Sequence, residues 1–116
     1  MIPLQELRIG NWILDDTSGE VYQIRKGMDI DSHSNGFSPI PITPELLAKC
    51  GFTFHDYFKI WQKNKPEPGT GPDMELDPDF WVLDFSKHRI GVELKGLHQL
   101  QNLYFLLKGS ELKIAE

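Results

Sequence analysis

The chain has 116 residues, a net charge of −5, 40% hydrophobic and 25% charged residues. That is long enough for one packed core without metal or disulfide staples, and too acidic for an affinity built mainly on nucleic-acid phosphates. A single cysteine, Cys50, excludes an internal disulfide and fits a reducing compartment. "MIPLQELRIG" lacks a basic stretch leading into an apolar run, and no segment nears the roughly 20 apolar residues of a membrane span, so a cytoplasmic protein is expected.

In chain order, "LRIGNWILDD" reads as a strand, with a bulge at Gly10 separating Leu7 and Ile9 from Trp12 and Leu14. "DDTSGE" has turn composition and "VYQIR" returns, so Leu7 to Arg25 is expected to be a hairpin. "DSHSNG" is a loop, and Pro39 and Pro41 hold "FSPIPIT" extended. "TPELLAKCGF" is a short helix: Thr43 caps it, Pro44 takes the first helical position, Glu45 complements the dipole and Gly51 ends it. "YFKIWQK" reads as a strand. Residues 64–79, rich in Pro, Gly and acids without periodicity, read as a mobile loop. "FWVLDF" and "RIGVELK" form a second hairpin turning through Ser86 to His88, with Ile90, Val92 and Leu94 on its buried side. "GLHQLQNLYFLLKG" is the closing helix, with Leu97, Leu100, Leu103, Tyr104 and Leu107 as its apolar stripe and Gly109 as its stop. "ELKI" could add a short edge strand. The expected fold is α+β, a single domain over 1–116. Its antiparallel sheet is built from two hairpins, with the short central helix and the C-terminal helix packed on one face. The N-terminal half is compatible with an SH3-like barrel.

The closing helix has an unusual polar side. Where Lys and Glu are normal, it carries His98, Gln101, Asn102 and Phe105. Protein interfaces disfavour Lys, Glu and Asp at their centres and favour aromatics, which makes these four a candidate binding surface. Alternatively, the amides are buried and bonded to backbone groups, since buried polar atoms are nearly always paired.

Two chemistries compete with protein binding. Asp84 followed by Glu93-Leu94-Lys95 has the acid and E-x-K layout of metal-dependent nucleases, with Gln101 and Tyr104 on the next helix as accessory groups. Lys59 and Lys63 flanking Trp61 could grip single-stranded nucleic acid by charge and stacking. Neither pattern is specific: E-x-K arises on any wet strand face, and lysines commonly snorkel at strand ends. "DMELDPD" imitates the spacing of a calcium loop, but Pro78 stands where that loop needs a glycine. His33, His55, His88, His98 and Cys50 show no metal-ligand spacing, and Cys50 lies at the wrong helix end for thiolate stabilisation. No cofactor motif is present.

Three stretches taken together, "LRIGNWI", "PIPITPELLAKCGF" and "LHQLQNLYFLLKGSEL", resemble a family of short uncharacterised bacterial and prophage-encoded proteins. That family has an L-R-I-G-N start, a central P-I-P-L-T segment and a closing H-Q-L-Q-N-L-Y/F motif. Here Ile42 replaces the usual Leu, and the Gly109 to Leu112 ending departs slightly from the pattern. The resemblance implies a small intracellular, phage-associated protein and no particular activity. The E-x-K and acidic-loop residues lie outside it. The expectation is an accessory protein that works through protein–protein binding and not as an enzyme, with its partner and oligomeric state open.

Overall fold

The computed structural model describes residues 2, 6–16, 19–25, 37–63, 74–84 and 86–115. The chain is α+β, with two antiparallel sheets of three and five strands and two helices. It gathers into two compact units, one of residues 1–41 and 95–111, the other of residues 42–94 and 112–116. The strands therefore divide between two sheets, where the sequence reading placed them in one. Among the described residues no helix is long and apolar enough to cross a membrane.

In the first unit β1 (Trp12–Asp15) lies between β2 (Val21–Gln23) and β3 (Phe37–Ser38), antiparallel to both. This is an open sheet among the described residues, not a closed SH3-like barrel. Ile2, Leu7, Ile13, Ile24 and Phe37 form its buried cluster. Residues 7–11, expected as the first half of a long strand, instead form a turn and a bulge. Asn11 N–H donates to the Arg8 carbonyl at 3.1 Å, and Gly10 stands at φ 100 in the position a type II turn reserves for glycine. Gly10 N–H donates to the Ile24 carbonyl at 2.7 Å, and Ile24 N–H donates to that of Asn11 at 2.9 Å. This two-against-one pattern with a left-handed glycine is a G1 bulge, at the position where the sequence placed one. The unit closes with an α-helix, Leu97–Lys108, ended by Gly109 at φ 72. Its buried residues are Leu97, His98, Leu100, Gln101 and Tyr104. Leu107, assigned to the apolar stripe, is exposed instead.

The second unit starts with α1 (Pro44–Lys49), which makes the closing helix α2. Thr43 Oγ1 accepts from Leu46 N–H at 3.1 Å, Pro44 opens the first turn, and Gly51 follows the helix at φ 87, all as the sequence indicated. The five-stranded sheet runs in chain order: β4 (Phe52–His55), β5 (Ile60–Lys63), β6 (Met74–Leu76), β7 (Trp81–Leu83) and β8 (Arg89–Glu93). Two strands were not expected. The sequence suggests no strand between Gly51 and "YFKIWQK", but β4 begins at Phe52. β6 falls inside the supposed 64–79 loop, where Met74 and Leu76 pair with Lys63 and Trp61 and are buried. Of that loop, residues 64–73 lie outside the described residues. The strand expected over "YFKIWQK" starts only at Ile60, since Tyr57, Phe58 and Lys59 form the β4–β5 turn. β8 is an edge strand exposed along its length, so Ile90 and Val92 are not buried, whereas Leu94 is. "ELKI" forms no strand; Ala115 N–H makes a single bond to the Lys49 carbonyl at 2.8 Å.

Candidate functional site: the polar face of the closing helix

The four residues singled out on α2 are not presented together. His98 and Gln101 are only 1% and 2% exposed, Asn102 is half-buried, and Phe105 alone is open to solvent. The amides are used within the unit. Gln101 Oε1 accepts from Trp12 N–H at 2.8 Å while its Nε2 donates to the Gly10 carbonyl at 3.0 Å. Asn102 Oδ1 accepts from Asn11 Nδ2 at 2.8 Å and Arg8 Nε at 3.0 Å, and its Nδ2 donates to the Glu6 carbonyl at 2.7 Å. Asn11 Oδ1 in turn accepts from Arg8 N–H at 2.7 Å. Arg8 is held further by an ion pair to Glu111 and lies over the Phe105 ring, 4.6 Å from its centroid.

The strand ladder explains why carboxamides are needed here. β1 pairs with β3 at Leu14↔Ser38 and Asp15↔Phe37, so continuing β3 would place Ile40 beside Trp12. β3 ends at Ser38, and the Ile40 carbonyl accepts from Leu97 N–H at 2.9 Å instead of joining the ladder. Because antiparallel pairs alternate, the Trp12 N–H points away from β2, toward the edge β3 has left. Gln101 fills that edge, accepting and donating as a peptide group would. The amide face of α2 is a side-chain substitute for a strand, and it locks the turn of residues 8–11 in place.

His98 completes the face. Its Nε2 lies 2.9 Å from Glu6 Oε1, and its buried Nδ1 has no hydrogen-bond partner among the described residues. Gly96 is required beside it, since a Cβ there would fall 2.7 Å from Pro39 Cβ and 2.9 Å from His98 Nδ1. Gln99 caps the helix start, with Oε1 accepting from Lys95 N–H at 2.8 Å and Gly96 N–H at 3.2 Å.

With the amides occupied, the open part of α2 is its C-terminal end. Phe105, Leu106 and Leu107 are 40%, 79% and 55% exposed in a row. Lys108 follows in the last turn.

The nuclease residues are not assembled. Asp84 and Glu93 sit at opposite ends of the β7–β8 ladder, since Asp84 N–H bonds the His88 carbonyl whereas Glu93 pairs with Trp81. The Asp84 carboxylate is engaged by its own turn, accepting from Ser86 N–H at 2.9 Å and His88 N–H at 3.0 Å. The His88 bond, outweighing slight desolvation, holds its pKa below the ordinary value. Lys95 lies at the start of the α2 segment, where its N–H belongs to the Gln99 cap. The nucleic-acid residues fare similarly. The Trp61 ring is half-buried, edge-on to Phe54 with centroids 5.1 Å apart. Lys59 is in the turn at φ 57. Lys63 lays its amine at the end of α1, where a Cβ on Gly51 would be 2.5 Å from Nζ.

One cluster escaped the sequence reading. Glu75, buried on β6, accepts from Lys87 Nζ at 2.7 and 2.8 Å and from Gln62 Nε2 at 2.8 Å. Lys87 reaches it from a left-handed conformation, φ 64. In sequence, Glu75 was one acid among several in "DMELDPD". In the structure, Asp77 caps the next turn and holds Arg89, and Asp79 also binds Arg89. Among the described residues no three His, Cys, Asp or Glu gather as a metal-binding set. No protein-family model, curated protein or solved structure matches the chain.

Proposed function

We propose that the protein is a small accessory module, intracellular and phage-associated, that acts by binding another protein through the C-terminal end of α2. The observation that carries this reading is the run of Phe105, Leu106 and Leu107 in solvent over the last turn of a helix whose earlier turns are fixed by hydrogen bonds. A rigid apolar ridge loses little conformational freedom on docking, and large apolar anchors in a partner's pocket supply most of an interface's energy. Singly exposed apolar residues are ordinary, but three consecutive ones at a helix end form a patch that marks contact surfaces.

The test starts with affinity capture from host cells using wild type and Leu106→Glu, then a binding isotherm with the purified captured protein. The reading requires a partner held by wild type and lost by Leu106→Glu at unchanged thermal stability. Identical recovery by both chains would overturn it.

A further inference from the structure

The second unit carries a different surface. Among the described residues β8 forms one edge of its sheet, and all five of its residues are exposed, Ile90 and Val92 among them. Natural sheets often blunt such edges with charge or irregularity, and β8 carries both, Arg89 and Glu93 at its ends and a bulge at Gly91, so only a strand that matches them can add here. The sequence of β8, Arg89-Ile90-Gly91-Val92-Glu93, is its own antiparallel complement about Gly91. Two copies laid antiparallel with Gly91 on the two-fold axis set Arg89 opposite Glu93 of the second copy, and Ile90 opposite its Val92, each twice. A two-fold interface demands this self-complementarity, and opposite charges directly across a ladder stabilise it.

The backbone agrees with that register. Leu94 N–H donates to the Phe80 carbonyl and Asp84 N–H to that of His88, so these groups face into the sheet. Arg89 and Glu93 lie between them, paired with Leu83 and Trp81, and alternation turns their N–H and C=O groups to the side away from β7. Between those pairs the register shifts, and residues 90–92 stand opposite Val82 alone. Gly91, at φ 85, has nothing within 4 Å of where a Cβ would lie, so another backbone can approach closely there. Arg89 is oriented at this edge by Asp77 at 2.5 Å, Asp79 at 3.2 Å and the Trp81 ring, 4.9 Å away.

We infer that the protein self-associates as a two-fold pair through antiparallel apposition of β8, the sheet continuing from one copy into the other. This goes beyond the α2 reading and uses none of its residues, so Leu106→Glu leaves it intact.

Sedimentation velocity on the full chain over about a hundredfold range of concentration tests it, because self-association shifts with protomer concentration. Wild type is expected to pass from monomer to dimer. Glu93→Arg sets like charges opposite each other at both positions and should weaken the dimer about tenfold or more, as should Arg89→Glu. An equimolar mixture of the two variants restores opposite charges in a mixed pair and should recover association, as should the double reversal in one chain. Glu93→Arg leaves the Arg89 contacts to Asp77 and Asp79 in place, so its result stands even if Arg89→Glu folds poorly. A wild type that stays monomeric throughout, or a dimer indifferent to Glu93→Arg, overturns the inference.

Discussion

Replacing Gln101 with methionine keeps the side chain's length and removes only its hydrogen bonds. The Trp12 N–H loses the acceptor at 2.8 Å that stands where β3 has left the sheet. A buried donor left unsatisfied costs about 1–3 kcal/mol. The Gly10 carbonyl loses a donor at 3.0 Å but keeps Gln23 Nε2 at 3.3 Å, so its share is smaller, about 0.5–1 kcal/mol. The methionine regains part of this through better burial of its thioether, leaving a net loss of about 2–3 kcal/mol. For a chain of this size that is a fall in Tm of roughly 10 °C. Thermal and urea unfolding followed by circular dichroism would measure it, with Gln99→Ala, which removes a half-buried cap outside the Trp12 and Gly10 contacts, as the comparison. A Gln101→Met protein within about 0.5 kcal/mol of wild type would refute the substitute-strand reading, since that is the scatter of ordinary surface changes.

Gly10→Ala forces a side chain into φ 100 and toward the Glu111 carboxylate, 3.4 Å from the new Cβ, and should cost about 1–3 kcal/mol in urea unfolding. Lys87→Met leaves the buried Glu75 carboxylate with Gln62 as its remaining donor among the described residues; discounted for the lysine's partial exposure, a loss of about 2–3 kcal/mol is expected, larger than for Lys59→Met in the open turn. Burial pushes the Cys50 thiol up to about 11 from 9.0, against a partial opposing effect of Lys63. The thiol is thus deprotonated more readily in the unfolded chain, so stability should fall as pH rises from about 9 to about 11 and the loss should vanish in Cys50→Ala, read from unfolding curves across that window.

Local punctuation was legible in the sequence because it depends on neighbours in the chain. Thr43, Pro44 and Gly51 bound α1, Gly109 stops α2, and Gly10 is the bulge glycine. The division into two sheets was not legible, since it depends on which distant strand each edge meets. β4 and β6 are each too short to show a period, and Met74 and Leu76 stand in an acidic stretch that resembles a loop until Lys63 and Trp61 pair with it. The amide face stands out in the sequence as unusual, but its role depends on β3 ending at Ser38, more than fifty positions away from Gln101. The two end segments meet in the fold: Arg8, Gly10 and Asn11 of "LRIGN" are bound by Gln101 and Asn102 of "HQLQN". The Glu75–Lys87 pair had no local signal at all.

Binding through the end of α2 is tested most directly by the affinity of Leu106→Glu for a purified partner that wild type retains, measured by isothermal titration calorimetry. A central apolar anchor turned into a carboxylate should weaken the complex about 30-fold or more, with Tm close to that of wild type because Leu106 is 79% exposed. Equal affinity for the two chains would contradict the account.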